Sequence, residues 1–234
     1  NTQCCPICIG MPGTLPIINK KAIEYTIKTG LALNCTISEW SRMDRKNYFY
    51  PDLPKAYQIS QHDYPLCKDG YLDVGIDGKY KRIRINRIHL EEDAGKLIHD
   101  KMDAETLIDY NRAGIPLIEI VTEPDMRSPE EAVAFFEALT SVLKYIGVSD
   151  CKMEEGSLRC DINLSLRPLG QEQLGIRTEM KNLNSFRAAY RAMTYEAKRQ
   201  QEILERGGKI VQETRRWDDR LGGSFSMRTK EDVQ

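Results

Sequence analysis

Apolar residues recur at two periods along this chain, and each change of period marks a new element. Over residues 19–31, Ala22, Ile23 and Ile27 share a helical face, Asn19 stands where a cap is needed and Gly30 where a helix can stop. Across 79–92, Ile83 and Ile85 alternate with Arg82, Arg84 and Asn86, the period of a strand. A short strand is predicted over 116–121. Ser128-Pro-Glu-Glu131 then reads as a capping box with proline at the first helical position. Ala132, Phe135, Phe136, Leu139, Val142, Leu143 and Ile146 follow at helical spacing as far as Gly147. Residues 157–166 alternate again, with Leu158, Cys160, Ile162, Leu164 and Leu166 on one face and Arg159, Asp161, Asn163 and Ser165 on the other. A last long helix opens near Ser185, turns Phe186, Ala189, Tyr190, Met193, Ile203 and Leu204 inward, and ends at Gly207-Gly208. Strands with one polar face, and helices able to cover the other, predict an α+β fold with a mostly antiparallel sheet and covering helices. Residues 42–65 are irregular and rich in Tyr, Asp and Pro, a length of loop that is usually functional or poorly ordered.

Composition narrows the function classes. The chain has 234 residues, 41% hydrophobic and 29% charged, which suits a folded protein with a sizeable core and excludes a disordered chain. Its longest apolar runs are far too short to span a bilayer, so no membrane association is expected. Thirty-four Lys and Arg stand against 35 Asp and Glu, so there is no overall positive field. Contact with RNA must come from local patches or from parts outside this chain. Seven scattered cysteines, an odd number, do not form a disulfide framework and fit a reducing, cytoplasmic setting.

Three acidic clusters lie at the ends or open faces of predicted strands. They are Glu91-Glu92-Asp93; Glu119 with Glu123 and Asp125; and Glu154-Glu155 with Asp161, beside Arg159 and Asn163. Mg²⁺ bound to phosphate takes one or two carboxylates plus waters and phosphate oxygens, so such clusters suit it. Most acidic pairs in so charged a chain are solvated surface. Glu119 fits that bland reading least, because Pro116-Leu-Ile and Ile120-Val flank it. The loop Arg42, Arg45, Lys46, Tyr48, Phe49, Tyr50, Lys55, Tyr57 and Gln58 mixes cations, hydroxyls and flat rings, a mixture that suits a nucleotide phosphate or an RNA end. An ordinary aromatic loop packed on a sheet would read the same way. Cys5-Pro-Ile-Cys8 offers two of the four ligands of a structural zinc site. His62, His89 and His99 have no metal-ligand spacing, and His89 reads as facing outward on its strand. No phosphate-binding glycine loop or nucleophile elbow is present.

Several strings are long and compositionally unusual. Cys5-Pro-Ile-Cys-Ile-Gly-Met-Pro-Gly13, Tyr48-Phe-Tyr-Pro-Asp-Leu-Pro-Lys-Ala-Tyr-Gln-Ile-Ser-Gln61, His89-Leu-Glu-Glu-Asp-Ala-Gly-Lys96, Asp109-Tyr-Asn-Arg-Ala-Gly-Ile-Pro-Leu-Ile-Glu-Ile-Val-Thr-Glu-Pro-Asp125, Met153-Glu-Glu-Gly-Ser-Leu-Arg-Cys-Asp161 and Lys181-Asn-Leu-Asn-Ser-Phe186 resemble the GatB subunit of the aspartyl/glutamyl-tRNA(Asn/Gln) amidotransferases. The resemblance implies one catalytic domain over 1–234, a glutamine-synthetase-like cradle built on an antiparallel sheet. It also implies a ligase of translation that uses ATP and Mg²⁺ to phosphorylate the side-chain carboxylate of misacylated Glu-tRNA(Gln) or Asp-tRNA(Asn). Ammonia from the glutaminase subunit, GatA, would then displace the phosphate, with the small GatC subunit completing a heterotrimer. Carried onto this chain, the Mg²⁺ and catalytic carboxylates fall on Glu92, Glu119 and Asp161, with Glu154 and Glu155 nearby. Lys55, Tyr57, Arg112 and Arg159 are implied as ATP or acyl contacts, and Cys5 and Cys8 as half of a structural Zn²⁺ site.

Departures and rivals bound this reading. The family's opening strand with a Gly-x-Glu-x-His pattern, its upstream cysteine pair and its helical and tail domains are all missing from the sequence, so a subunit truncated at both ends is expected. The archaeal GatE subunit performs the same step on Glu-tRNA(Gln), but carries an inserted domain that does not interrupt these motifs. A non-catalytic RNA-binding scaffold of the same fold and a free amino-acid ligase remain as further alternatives. A bacterial cytoplasmic setting is expected, with an organellar one as the alternative.

Overall fold

The computed structural model describes residues 1–99 and 105–229. In chain order the elements are α1 (Lys20–Ala32), β1 (Thr36–Ile37), β2 (Asp44–Asn47), β3 (Tyr57–Ser60), β4 (Cys67–Ile76), β5 (Lys79–Glu92), β6 (Lys96–His99), β7 (Thr106–Asp109), β8 (Pro116–Thr122), α2 (Pro129–Tyr145), β9 (Ile162–Leu164), β10 (Thr178–Lys181), α3 (Phe186–Glu205), β11 (Glu213–Asp218) and β12 (Gly223–Thr229). The fold is mixed α and β, and its strand pairs are mostly antiparallel. One four-stranded sheet runs β1-β4-β5-β8 and another runs β12-β11-β10-β9, while β2-β3 and β6-β7 form two-stranded ribbons. The pair β10/β11 is parallel.

The chain divides into two compact units, Asn1–Asp73 with Arg82–Asp125, and Val74–Lys81 with the residues from Met126 onward. In the first, Leu33, Cys67, Ile83, Ile85 and Ile88 are wholly buried. Asn19 caps α1 by accepting from the Lys21 amide at 2.9 Å, as its position predicts. Gly30 does not end this helix; it lies inside it and is buried. A Cβ there would stand 2.4 Å from Cys67 Sγ and 2.9 Å from Ile37 Cδ1, so the glycine lets α1 press against β4. The β4–β5 hairpin turns on Asp77 and Gly78, whose φ angles of 49° and 76° are those of the turn that matches strand twist.

In the second unit, Met180, Leu183, Ala188, Ala189, Ala192, Met193 and Trp217 form the core with Ala132. Phe136 and Phe186 stack at 5.4 Å. Ser128 caps α2 as expected, accepting from the Glu131 amide at 3.2 Å, while the Glu131 carboxylate takes the Arg127 amide at 2.6 Å. Ser185 caps α3 in the same way. Two expectations need correcting here. The strand predicted over 157–166 shrinks to Ile162–Leu164, because a turn occupies Met153–Gly156 and no partner strand pairs with 157–161. On α3, Tyr190 and Leu204 stay substantially exposed, and Glu196 and Gln200 take buried positions. Arg199 satisfies the Glu196 carboxylate with two bonds of 2.8 and 2.7 Å. The Gln200 amide donates to Leu164 O, Thr178 Oγ1 and Glu196 Oε1, so a polar network replaces apolar packing on that face.

Candidate metal centre

The centre is made by a single extra residue in β5. This strand pairs with β8 as Ile85↔Thr122 and then Arg87↔Val121, so Asn86 is a bulge, after which the register is regular to Glu92↔Pro116. Before the bulge the buried positions are odd-numbered, Ile83 and Ile85; beyond it they are even-numbered, Ile88 and Leu90. His89 and Glu91 therefore leave the core face that uninterrupted alternation would have given them. His89 is placed directly opposite Glu119. The ligand atoms of His89, Glu91 and Glu119 all lie within 4.8 Å of one another, the one group of three or more such residues this close among the described residues.

The local electrostatics suit a cation. His89 Nε2 is 3.5 Å from Glu119 Oε2 and 3.6 Å from Glu91 Oε2, and its ring is 3% exposed. Burial and the neighbouring Glu91 charge push the Glu119 carboxyl above its ordinary value, against the opposing pull of His89 and Arg87. Glu91 goes the other way. Burial raises it, but hydrogen bonds from His89 and Ser60 and the charges of His89 and Lys46 outweigh that and hold it below the ordinary value. The Ser60 hydroxyl donates to Glu91 Oε2 at 3.3 Å, and the Lys46 ammonium lies 5.5 Å from the Tyr48 ring centroid. Burial, together with the charges of Asp52, Glu91 and Asp93, raises the Tyr48 phenol. The aromatic loop and the acidic cluster, separate features in the sequence, are thus neighbours within the first unit.

Glu91 and Glu119 meet the requirement of a phosphate-bound Mg²⁺ for one or two carboxylates. Arg87 Nε donates to His89 Nδ1 at 3.3 Å, which leaves the imidazole hydrogen on Nε2, facing the carboxylates. His89 becomes a third ligand through Nε2 only if that hydrogen moves to Nδ1 and Arg87 turns away. The donor set fits a divalent cation.

The other residues expected at the site lie elsewhere. Alternation turns Glu92 to the opposite face from Glu91, where its carboxylate takes Lys55 Nζ at 2.5 Å and the Ile59 amide at 3.0 Å. Lys55, 5% exposed, is committed to that pair. The Tyr57 ring lies 5.2 Å from Lys55 Nζ and 5.8 Å from the Arg45 guanidinium. Arg112 binds Asp93 Oδ2 through Nε and Nη2, both at 2.9 Å. In the second unit, Lys181 holds Asp161 at 2.6 Å, Glu155 pairs with Lys152 at 2.9 Å, and Glu154 and Arg159 are exposed. Cys5 Sγ and Cys8 Sγ approach to 3.1 Å, but no third Cys, His, Asp or Glu joins them among the described residues. Two thiols fit only half of a four-ligand zinc site. Sequence reasoning missed His89 and undervalued Glu91, because the bulge that turns them outward leaves no mark on the apolar pattern.

Residues 1–234 match the family described as the GatB/GatE catalytic domain. The chain belongs to that family. Proteins named as the B subunit of aspartyl/glutamyl-tRNA(Asn/Gln) amidotransferase are 66% identical to it in Caldicellulosiruptor saccharolyticus, 62% in Thermoanaerobacter sp. and 58% in Thermodesulfovibrio yellowstonii, each over 233 residues. All of this chain is covered in each case, but only 48–49% of the relative, so a GatB/GatE catalytic domain makes up about half the length of those proteins. Among the described residues of this domain, no helix is long and apolar enough to cross a membrane.

Proposed function

We propose that this chain is the catalytic part of the GatB subunit of a tRNA-dependent amidotransferase, a ligase of translation in the bacterial cytoplasm. Residues 1–234 act as one catalytic domain of the glutamine-synthetase type. The domain uses ATP and Mg²⁺ to phosphorylate the side-chain carboxylate of Glu-tRNA(Gln) or Asp-tRNA(Asn). Ammonia delivered by the amidase subunit, GatA, in a complex completed by the small GatC subunit, then forms the amide. The observation that carries this reading is the convergence of His89, Glu91 and Glu119 beside Lys46 and Tyr48.

Each side chain has a defined task. Glu91 and Glu119 hold the cation from two neighbouring strands, a spacing fixed by backbone pairing rather than by loops. When bound, Mg²⁺ neutralises phosphate charge and polarises the transferring phosphoryl group. Lys46 and Arg87 border the cluster with positive charge that favours an anionic substrate. The Lys55–Glu92 pair ties β3 to the end of β5 and so keeps Ser60 on Glu91. Asp161, Glu154, Glu155 and Arg159 belong to the second unit, and this reading does not depend on them.

The test is reconstitution of the full-length GatB protein with GatA and GatC, assayed for amide formation on misacylated tRNA with ATP, Mg²⁺ and glutamine. Glu119→Gln should lower that activity by roughly a hundredfold or more, at least as much as loss of a residue that only supports a metal ligand, with the complex still assembling. Retention of wild-type activity by that variant would refute the assignment.

A further inference from the structure

The loop between β2 and β3 presents a feature that the proposed chemistry leaves unused. Phe49 is 88% exposed and Tyr50 57% exposed, and with Pro51, Leu53, Pro54 and Ala56 they line an open hollow of about 440 Å³. That volume falls within the range of small-molecule sites, about 300–1,000 Å³. An exposed phenylalanine on a slack loop would mean little, but this loop is pinned. Tyr48 N donates to Ala56 O at 3.1 Å, Leu53 N to Tyr50 O at 3.0 Å, Ala56 N to Leu53 O at 3.0 Å and Gly95 N to Asp52 O at 2.8 Å. The Tyr110 hydroxyl donates to Pro51 O at 2.8 Å. Ala56 holds a φ of 61°, a left-handed conformation that costs an alanine free energy and persists only where its surroundings impose it. Behind the loop, Gly10 sits so near Pro54 that a Cβ would stand 2.7 Å from its carbonyl oxygen. The backbone's polar groups are thus spent inside the loop, and its rings are held out to solvent.

We infer that this hollow seats the purine ring of the nucleotide, stacked on Phe49 and Tyr50. The occupant follows from what adjoins the rings. Tyr48, next in the chain, lies beside Lys46 and Glu91, so a ligand stacked here can run its phosphates past a cation toward the Glu91–Glu119 cluster. A flat π-face suits bases of any identity, and aromatic stacking contributes enough per base to be read as a change in affinity. This inference rests on the nucleotide-using function proposed above and adds where the base sits.

The experiment uses the full-length GatB protein in its assembled complex. Affinities for Mg-ATP and for Mg-tripolyphosphate, which lacks a base, would be measured by calorimetry for the wild type, Phe49→Ala, Phe49→Trp and Glu119→Gln. Phe49→Ala should weaken Mg-ATP on the order of tenfold and leave tripolyphosphate unchanged, and Phe49→Trp should restore the loss. Glu119→Gln should weaken both ligands. Unchanged Mg-ATP affinity in Phe49→Ala, with tripolyphosphate still dependent on Glu119, overturns the base site alone. Loss of misacylated tRNA binding in Phe49→Ala, with Mg-ATP unaffected, overturns it too, in favour of an RNA end on these rings. Failure of the wild type to bind either phosphate ligand removes the proposed function and this inference together.

Discussion

At the scale of residues, Glu91 and Glu119 are a like-charged pair that the metal-free fold tolerates at a cost. Burial and the Glu91 charge raise Glu119 above its ordinary value of 4.5, so the fold binds a proton there that the unfolded chain has released. Stability from this group therefore falls as pH rises from that ordinary value through the raised one. Glu91 has the opposite sign. Its lowered value gives stability that is present above the ordinary carboxylate range and lost as pH falls through the folded value. Glu119→Gln should accordingly raise the thermal midpoint of the metal-free protein at neutral pH while removing metal binding. The gain should stay below about 1 kcal/mol, because half of this side chain is solvated. Thermal melts in chelator at pH 4 and pH 7 check this, and the gap between variant and wild type should narrow at the lower pH. Glu119 was legible in the sequence, but the physical reason differs from the one its apolar neighbours suggested. Ile118 and Ile120 point to the other face of the strand, so Glu119 is half exposed rather than embedded among them.

At the scale of elements, sequence periodicity located α1, β5, β8, α2 and α3 because each carries a cap, a stop or a clean alternation. It failed where a tertiary fit or a register shift decides the outcome. The Asn86 bulge exchanges the two faces of β5 and so chooses Glu91 over Glu92, yet no local residue type announces it. Gly30 looked like a helix stop and is instead a packing contact. Gly30→Ala should therefore destabilise the protein by about 1–3 kcal/mol through overpacking, although alanine is the better helix former. Cys67→Ala, which removes the sulfur at 2.4 Å, should recover part of that loss. Urea unfolding of the two single variants and the double variant measures both effects. A Gly30→Ala protein as stable as wild type would show that α1 and β4 do not meet this closely. The buried Glu196–Arg199–Gln200 network was invisible for a related reason: helical spacing marks which residues face inward but not which polar partners meet them there.

At the scale of the molecule, near-balanced charge denies this domain a general attraction for RNA, so any acceptor-end contact falls to local features such as the ringed loop beside the metal cluster. The domain amounts to about half of the relatives it matches, and the reaction proposed for it needs partners that supply ammonia and hold tRNA. All of that chemistry depends on one property that can be measured apart from the partners. Manganese, a paramagnetic stand-in for magnesium, would be titrated by electron paramagnetic resonance into the full-length GatB protein and into its Glu91→Gln and Glu119→Gln variants. The account predicts that the wild type has a saturable site and that each variant weakens it by roughly a hundredfold or more. Equal manganese affinity in wild type and both variants would contradict it.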